Sequence, residues 1–354
     1  MVGNQVTNLR ALVTGGCGFI GSHLVKALVA NTNCLSIVNV DALTYSGHPE
    51  NCSDIDNVRY KFKHQSINDR PSLENTLREE NISIIFHLAA ESHVDRSIHS
   101  IEPFISTNVD GTRVILESIL ALRKEGQEIS LVHVSTDEVY GSLGPNDPPF
   151  TELTPVNPLN PYAATKAASD FLVKSFVNTF NISAVITRCS NNYGPNQFPE
   201  KLVPLMILKT RLGEKLPIYG DGKNVRDWIH VTDHVDGIVS SANALISGKL
   251  TSGEVINFGG ENEKTNLEIV RNIVEKIGAS DNLIEFVPDR PGHDKRYAID
   301  ISKAKKLLKW SPKINWNHGI SQTILWYKSN DKWVASITSG EYKNWIRKQY
   351  GDTK

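Results

Sequence analysis

This sequence has few cysteines, a small net charge and few long apolar runs. Only four of its 354 residues are cysteines, and Cys17, Cys34, Cys52 and Cys189 lack the paired spacing of a metal site. So small a number of thiols excludes a disulfide framework and fits a reducing compartment. We therefore expect a cytoplasmic protein, and we expect it to hold no metal. The formal net charge of −1 offers no general attraction to nucleic acid or to an anionic membrane.

Residues 1–8 are polar, and the first apolar stretch, at residues 11–13, leads directly into glycines. We therefore expect neither a signal peptide nor a membrane span. A chain of this length can bury a substantial core, and we expect one large domain with a smaller lobe.

The order of apolar runs predicts an α/β protein. From residue 10 the chain follows the pattern of strand, glycine loop, helix and second strand. Later strands at 82–87, 131–135 and 184–187 alternate with helices near 104–122 and 162–180. This alternation is typical of a Rossmann-type, doubly wound parallel sheet with helices on both faces.

After residue 190 the segments become rich in proline and glycine, which predicts a smaller, discontinuous α/β substrate lobe. Helices are predicted there near 202–211 and 267–277, whereas the helix and strand patterns at 231–245 and 254–259 indicate a return to the first domain. We thus predict a first domain of residues 8–190 and 231–258, and a substrate lobe of residues 191–230 and 259–345.

The loop after the first strand carries a dinucleotide-binding pattern. Gly16, Gly18 and Gly21 satisfy G-x-G-x-x-G, and Gly15 provides a second spacing with the last two. Glycines at this position let the backbone approach a pyrophosphate at the helix N-terminus. Asp41, at the end of the second strand, would bind the ribose hydroxyls of NAD and repel the 2′-phosphate of NADP. We predict an NAD-binding first domain, the alternative being a tight structural turn beside a solvated aspartate.

Tyr162 and Lys166 are four residues apart in a predicted helix that Asn160 can cap and Pro161 can begin. A tyrosine has an ordinary pKa near 10, so a role as base requires adjacent positive charge from Lys166 and the nicotinamide ring. An exposed pair without function would show the same spacing, but the glycine loop upstream favours catalysis.

Two adjacent acids follow the buried strand at 131–135. Ser135, Thr136, Asp137 and Glu138 occupy the carboxyl end of that strand, where ligands bind in open α/β sheets. Neighbouring carboxylates in a desolvated cleft have separated pKa values, so one can serve as acid and the other as base. A solvated turn in which Asp137 caps a helix is the alternative.

Seven segments together resemble one family, the dTDP-glucose 4,6-dehydratases, which are extended short-chain dehydrogenases/reductases. These segments are TGGCGFIGS, LAAESHVDRSI, STDEVYG, NPYAATKA, SNNYGPNQFPEKL, LPIYGDGKNVRDWIHV and RPGHDKRYAID. The resemblance runs in the same order from about Arg10 to beyond Trp310. It implies a lyase of deoxysugar biosynthesis that is a homodimer through the helices near 104–122 and 162–180.

The resemblance also implies a role for each catalytic residue. Tyr162 would take the proton of the sugar O4 while hydride leaves C4 for NAD, and Thr136 would hydrogen-bond the same oxygen. Glu138 would remove the C5 proton and Asp137 would protonate the departing C6 hydroxyl, after which hydride returns to C6. Lys166 would support Tyr162, and NAD would be regenerated in each turnover.

The residues expected to contact NAD surround the glycine loop and the strand ends. They are Gly15, Gly18, Phe19, Ile20, Gly21, Asp41, Ser66, Ile67, Leu88, Ala89, Ala90, Ser92, Asn108, Ser135, Tyr162 and Lys166. The residues that the resemblance implies for the nucleotide sugar lie mostly in the lobe. They are Ser92, Thr136, Asn191, Lys201, Leu202, Pro217, Tyr219, Arg226, Asn262, Arg290, His293 and Tyr297. From charge alone, Arg226 and Arg290 could equally be exposed surface side chains.

Two residues depart from the family pattern. Ser66 stands where the family usually has an aspartate for the adenine amino group, which weakens the case for adenine recognition there. Cys17 replaces a usual alanine, and we interpret it as an inert buried thiol.

Alternatives within the same fold are less well matched. A nucleotide-sugar 4-epimerase needs the tyrosine, lysine and NAD but no acid pair. GDP-mannose dehydratases typically lack that pair. Inverting UDP-N-acetylglucosamine dehydratases tend to carry lysine at the position of Glu138. A non-catalytic NAD-binding sensor usually loses Tyr162 or Lys166. Thymine and uracil differ by one methyl group, which is worth only about 1–3 kcal/mol in discriminating between two substrates. Both dTDP-glucose and UDP-glucose therefore remain candidate substrates.

Overall fold

The apolar runs form strands and the amphipathic runs form helices in the structure, a computed structural model that describes residues 9–289 and 292–338. The strands are β1 Leu9–Thr14, β2 Cys34–Asp41, β3 Tyr60–His64, β4 Ile84–His87, β5 Ser130–Thr136, β6 Ala184–Cys189, β7 Asn191–Tyr193, β8 Leu216–Tyr219, β9 Val225–His230, β10 Val255–Phe258, β11 Glu263–Thr265 and β12 Ile284–Val287. The α-helices are α1 Phe19–Ala30, α2 Arg70–Glu79, α3 Val94–His99, α4 Glu102–Phe104, α5 Gly111–Lys124, α6 Pro161–Phe180, α7 Leu202–Leu212, α8 Val231–Ile246, α9 Asn266–Ile277, α10 Ser302–Leu308, α11 Trp316–Ser329 and α12 Asp331–Ile337.

Within the described residues, seven strands form one parallel sheet in the order β10-β6-β5-β4-β1-β2-β3. Leu12 and Val13 are both fully buried but pack into different core clusters, because successive side chains of a strand point to opposite faces. Both faces are therefore covered, and the chain order reverses between β1 and β4. The predicted Rossmann-type, doubly wound α/β fold is confirmed.

Two smaller sheets lie beside the large one in the described part of the chain. One has the order β11-β9-β7, and the other pairs β12 with β8 in parallel. Their apolar core includes Trp228, Ile273, Trp316 and Tyr327. The strand β10 returns to the large sheet beside β6. The domain boundaries remain a prediction, and residues 339–345 of the predicted lobe lie outside the described residues.

Some element bounds differ from the sequence-based expectation for local reasons. The strand expected from residue 82 begins at Ile84, because the Ile82 amide donates to Leu77 O and closes α2. The helix expected near 104–122 instead begins at Glu102 and contains a π-helical segment, Ile105–Asp110, before α5. Such wide turns occur often at functional sites.

Across the described residues, no helix has both the length and the apolar character needed to cross a bilayer.

Candidate active site

The glycine loop between β1 and α1 has no room for side chains on its inner side. Gly15 has a φ of +70°, and a Cβ atom there would lie 2.8 Å from the Ala89 backbone, so only glycine suits this position. Gly18 differs from Gly15. A Cβ atom added there would meet only Gly15 O, at 3.2 Å, and would otherwise project into the cavity that Gly18 lines. Gly18 also precedes α1 without a side-chain cap. The loop therefore presents a bare backbone cradle at a helix N-terminus, which suits a pyrophosphate.

Asp41 holds this loop in place. Its Oδ2 accepts from the Cys17 amide at 2.9 Å, and its Oδ1 accepts from the Leu43 amide at 2.8 Å. Burial raises the pKa of Asp41, and these two hydrogen bonds oppose that rise. Since a carboxylate has about four lone-pair positions, Asp41 keeps acceptor capacity for ribose hydroxyls on the cavity side.

A cavity of about 350 Å³ runs from the glycine loop along the carboxyl ends of the strands. Most of the residues predicted to contact NAD line it: Gly15, Gly18, Phe19, Ile20, Gly21, Asp41, Ser66, Ile67, Leu88, Ala89, Ala90, Ser92, Ser135, Tyr162 and Lys166. The cradle, the helix N-terminus and the acceptor at Asp41 together fit a dinucleotide.

Asn108 is the exception, because its side chain is used within the protein. It lies in the π-helical segment, where Oδ1 accepts from the Glu91 amide at 2.9 Å and Nδ2 donates to Glu91 O at 3.0 Å and to Thr165 Oγ1 at 2.9 Å. It does not line the cavity. Asn108 thus supports the cavity wall at Glu91, and its predicted contact with the cofactor stays a prediction.

The acid pair stands at the end of β5, where a short 3-10 helix, Asp137–Tyr140, begins. Thr136 caps that helix, because its Oγ1 accepts from the Glu138 amide at 3.2 Å. Thr136, Asp137 and Glu138 all line the first cavity. The capping turn proposed as the alternative to a catalytic role does exist, but the capping residue is Thr136 and both acids face the cavity.

Asp137 is suited to the role of an acid. It is 2% exposed, and its Oδ2 has no hydrogen-bond partner among the described residues. Burial, and then the negative charges of Glu138 and Asp227, raise the pKa of Asp137 well above its usual range, against the lowering effect of Arg226. A raised pKa favours the protonated carboxyl group, which is the form that can donate a proton.

Glu138 is held by a side chain from another element. Asn160 Nδ2 lies 3.2 Å from Glu138 Oε2, while Asn160 Oδ1 accepts from the Ala163 amide at 2.8 Å and caps α6. The same amide therefore begins the catalytic helix and orients one carboxylate. The sequence indicated the cap but not the contact with Glu138.

Tyr162 lies in the first turn of α6, is 8% exposed and lines the cavity. Burial, and then the charge of Glu138, raise its pKa well above the usual value, while the hydroxyl of Thr136 lowers it. The expectation from the sequence is that Lys166 and the nicotinamide ring together lower this pKa. In the structure, Lys166 directs its ammonium to Val134 O at 2.9 Å, and burial lowers its own pKa to about 8.

Behind Lys166 lies a buried ionic cluster. Asp170, one turn along α6, accepts from Arg188 Nε at 2.9 Å and lies 3.3 Å from His133 Nε2. Burial would raise the pKa of Asp170, but its close contact with His133 and the charges of Arg188, His133 and Lys166 lower it overall. Asp170 in turn raises the pKa of Lys166 against the effect of burial.

A second cavity, of about 150 Å³, continues from the first toward the lobe. Glu138, Asn191, Glu200 and Lys201 line both cavities. The predicted substrate residues that line the second cavity are Asn191, Lys201, Leu202, Pro217, Tyr219, Arg226 and His293, while Ser92 and Thr136 line the first.

Among the described residues, two that were predicted to contact the substrate do not line these cavities. Asn262 donates from Nδ2 to Gly260 O at 2.6 Å, so its amide serves the loop before β11. The Tyr297 hydroxyl donates to Asp294, and Arg226 Cζ lies 4.4 Å from the centroid of the Tyr297 ring. Tyr297 therefore supports Arg226 from behind. Arg290 lies outside the described residues.

Sequence reasoning missed several cavity residues. Glu91 and Glu200 are buried acids of the cavity wall, and Asp95 Oδ2 accepts from the Tyr219 hydroxyl at 3.2 Å across the second cavity. Tyr45 lines the first cavity, and Arg96 Cζ lies 3.8 Å from its ring centroid. Glu91 and Asp95 lie inside the LAAESHVDRSI segment, whose charged residues were a signal that was available.

Comparisons with known proteins agree with this geometry. A family model described as GDP-mannose 4,6 dehydratase matches residues 12–323. The dTDP-glucose 4,6-dehydratase 1 of Escherichia coli strain K12 is 44% identical, over 97% of this chain and 99% of its own length. The dTDP-glucose 4,6-dehydratase of Neisseria gonorrhoeae is 45% identical, over 90% of this chain and 95% of its own length.

Solved structures extend the likeness to three dimensions. A dTDP-glucose 4,6-dehydratase from Streptomyces venezuelae, with NAD and a second ligand bound, has a TM-score of 0.88 at 40% identity and covers 93% of this chain and 100% of its own. A UDP-glucose 4-epimerase from Thermotoga maritima has a TM-score of 0.81 at 29% identity, over 91% of this chain and 99% of its own. The epimerase fold is thus shared at lower sequence identity.

Proposed function

We infer that this chain, which belongs to the dTDP-glucose 4,6-dehydratase family, is a hydro-lyase that converts dTDP-glucose into the 4-keto-6-deoxy sugar with NAD as cofactor. The family, fold, cofactor and reaction predicted from the motifs are confirmed, over the epimerase and sensor alternatives. Within the site, the observation that carries the reaction is the adjacent pair Asp137 and Glu138 at the cavity wall. An epimerase has no use for such a pair.

For the oxidation step, we propose that Tyr162 takes the proton of the sugar O4 and that Thr136 hydrogen-bonds the same oxygen. The hydroxyl of Thr136 already lowers the pKa of Tyr162, which supports a shared oxygen between them. When bound, NAD supplies a hydride acceptor for C4, a hydride donor for C6 and a positively charged ring that favours the Tyr162 phenolate. Lys166 adds a second positive charge from the same helix face.

The elimination step needs one base and one acid. The C4 ketone acidifies the C5 proton, which Glu138 removes, while Asp137 protonates the C6 hydroxyl so that the C–O bond breaks and water leaves. The raised pKa of Asp137 supports the acid role, and the Asn160 contact orients Glu138 for the base role. The different surroundings of Asp137 and Glu138 thus suit one to the acid role and the other to the base role.

The lobe residues would bind the nucleotide diphosphate. Lys201 and Arg226 bring positive charge to the second cavity, and Asn191 lies where the two cavities meet. Pro217 and Tyr219 line the far part, where we propose that the base binds. Since the diphosphate carries the charge, these cations set affinity and the apolar wall sets base preference.

We also propose a homodimer that packs through α5 and α6. Phe171 and Phe180 on α6 are 55% and 42% exposed, and Ile105, in the π-helical segment before α5, is 43% exposed. These exposed apolar side chains support an apolar contact between subunits. Light scattering coupled to size-exclusion chromatography would measure the mass. A cytoplasmic location is proposed from the four free, buried cysteines, and cell fractionation would test it.

The experiment that tests the function follows intact nucleotide sugars by mass spectrometry. Purified protein is incubated separately with dTDP-glucose and UDP-glucose, without added reductant. Loss of one water from dTDP-glucose, and much slower loss from UDP-glucose, is expected. Conversion at unchanged mass would instead indicate C4 epimerisation. The Tyr162→Phe variant, which keeps the ring but loses the phenol, is the control and should leave both substrates intact.

A further inference from the structure

We propose that Asn51 is a positioning residue for the bound cofactor, because its amide fastens the glycine loop to helix α12. Asn51 lies in the short 3-10 helix Pro49–Cys52 that follows β2, and it is 1% exposed. It lines neither cavity, so its influence on NAD is transmitted through the loop. The proposal rests on the NAD site inferred above.

One side of the Asn51 amide fixes the loop itself. Its Nδ2 donates to Cys17 O at 2.8 Å, and the His48 amide donates to the same oxygen at 3.0 Å. On the other side, the Cys17 amide donates to Asp41 Oδ2 at 2.9 Å. Residue 17 is therefore held at both of its backbone polar groups. The next residue is Gly18, so a shift of residue 17 would move the cradle that suits the pyrophosphate.

The other side of the Asn51 amide reaches two distant parts of the chain. Its Oδ1 accepts from Trp333 Nε1 at 2.7 Å and from Asn196 Nδ2 at 3.1 Å. Trp333 belongs to α12 and packs in the core of the smaller sheets. Asn196 directly precedes Gln197, which lines the first cavity. A single side chain thus connects the cofactor loop, the cavity wall and α12.

The size of the effect follows from the hydrogen bonds involved. Loss of one net hydrogen bond changes an equilibrium constant by a factor of roughly two to twelve. Removing the amide releases the loop and leaves buried partners unpaired, whereas removing only the indole N–H weakens one of the three contacts. We therefore expect a graded loss of NAD retention, larger for the amide than for the indole.

The test uses Asn51→Ala and Trp333→Phe in the full chain. NAD content per protomer is measured by chromatography after gel filtration, and the NAD dissociation rate is measured by dilution into excess labelled NAD. We expect dissociation to be roughly five- to tenfold faster in Asn51→Ala and roughly two- to threefold faster in Trp333→Phe. Turnover should then depend on added NAD, with kcat restored at saturation, because the catalytic residues are untouched.

A matched pair of variants separates positioning from general destabilisation. Trp316 Nε1 donates to Asn272 Oδ1 at 3.0 Å in the same core, with no bond to the glycine loop. Trp316→Phe and Asn272→Ala should lower Tm as much as the first pair but keep NAD bound. Equal NAD retention in Trp333→Phe and Trp316→Phe would overturn the proposal, even if Asn51→Ala failed to fold. Since NAD is measured directly, failure of the dehydration assay would not affect this result.

Discussion

Two buried aspartates, in two regions of the molecule, respond to burial in opposite ways. Asp137 stands after β5 at the cavity and is 2% exposed, while Asp170 lies on α6, bonded to Arg188 of β6, and is 1% exposed. The pKa of Asp137 is raised, first by burial and then by Glu138, whereas the pKa of Asp170 is lowered because His133, Arg188 and Lys166 outweigh burial. At equal burial, the charge of the neighbours decides whether a carboxyl group donates a proton or stays ionised.

The same substitution at the two sites should therefore have different consequences. In Asp137→Asn, loss of the proton donor should reduce dehydration by about 10²–10⁴-fold. The free energy of unfolding near neutral pH should not fall and should rise, because the unfolded state gains stability from ionising Asp137 whereas it cannot ionise Asn. Steady-state kinetics and urea unfolding of one preparation measure both. Turnover close to that of the wild type would exclude Asp137 as the acid.

Asp170→Asn should mainly affect stability. It leaves the buried guanidinium of Arg188 without its carboxylate, which typically costs about 3–5 kcal/mol. The double variant Asp170→Asn, Arg188→Met should recover much of this loss, because the buried guanidinium is removed together with its carboxylate. Urea unfolding of the wild type, the single variant and the double variant measures the difference. A single variant as stable as the wild type would show that the cluster contributes little.

The sequence predicted the catalytic edge far better than the cluster behind it. Asp137 and Glu138 follow a buried strand directly, so their position at a sheet edge is a local consequence of strand and turn. Asp170 and Arg188 lie on different elements, and neither periodicity nor spacing indicates that they meet. The same holds for Asn51 and Trp333, which are far apart in the chain but hydrogen-bonded.

For other predicted site residues, the sequence indicated the segment but not the partners of the side chain. Asn108, Asn262 and Tyr297 belong to the right segments, but their polar groups bond to neighbouring protein atoms. A motif fixes which backbone passes the site, whereas side-chain direction depends on competing partners. The glycine loop was predicted more fully because its function resides in the backbone itself.

The pH dependence of stability should separate the two aspartates further. A raised folded-state pKa at Asp137 means that the folded protein binds more protons, so stability relative to Asp137→Asn falls as pH rises above about 4. A lowered pKa at Asp170 means that its contribution is present above about pH 4 and is lost as pH falls further. Urea unfolding across pH should give stability differences of opposite slope. Parallel slopes would contradict the assigned pKa directions.

The smallest expected effect connects the two regions. Asp170 raises the pKa of Lys166, which burial lowers to about 8. In the double variant Asp170→Asn, Arg188→Met, the alkaline limb of the rate profile should therefore move to lower pH, by less than about one unit. The profile of kcat/KM against pH measures this shift. An unchanged limb would mean that the two regions act independently.

The double use of Asn160 has a consequence for how this enzyme can change over evolution. The amide begins α6 through its oxygen and orients Glu138 through its nitrogen. A mutation that moves the start of this helix therefore also moves Glu138, the proposed general base. Selection for a folded helix and selection for turnover act here on the same atoms, so variants that keep the protein folded at this position will tend to keep the reaction as well.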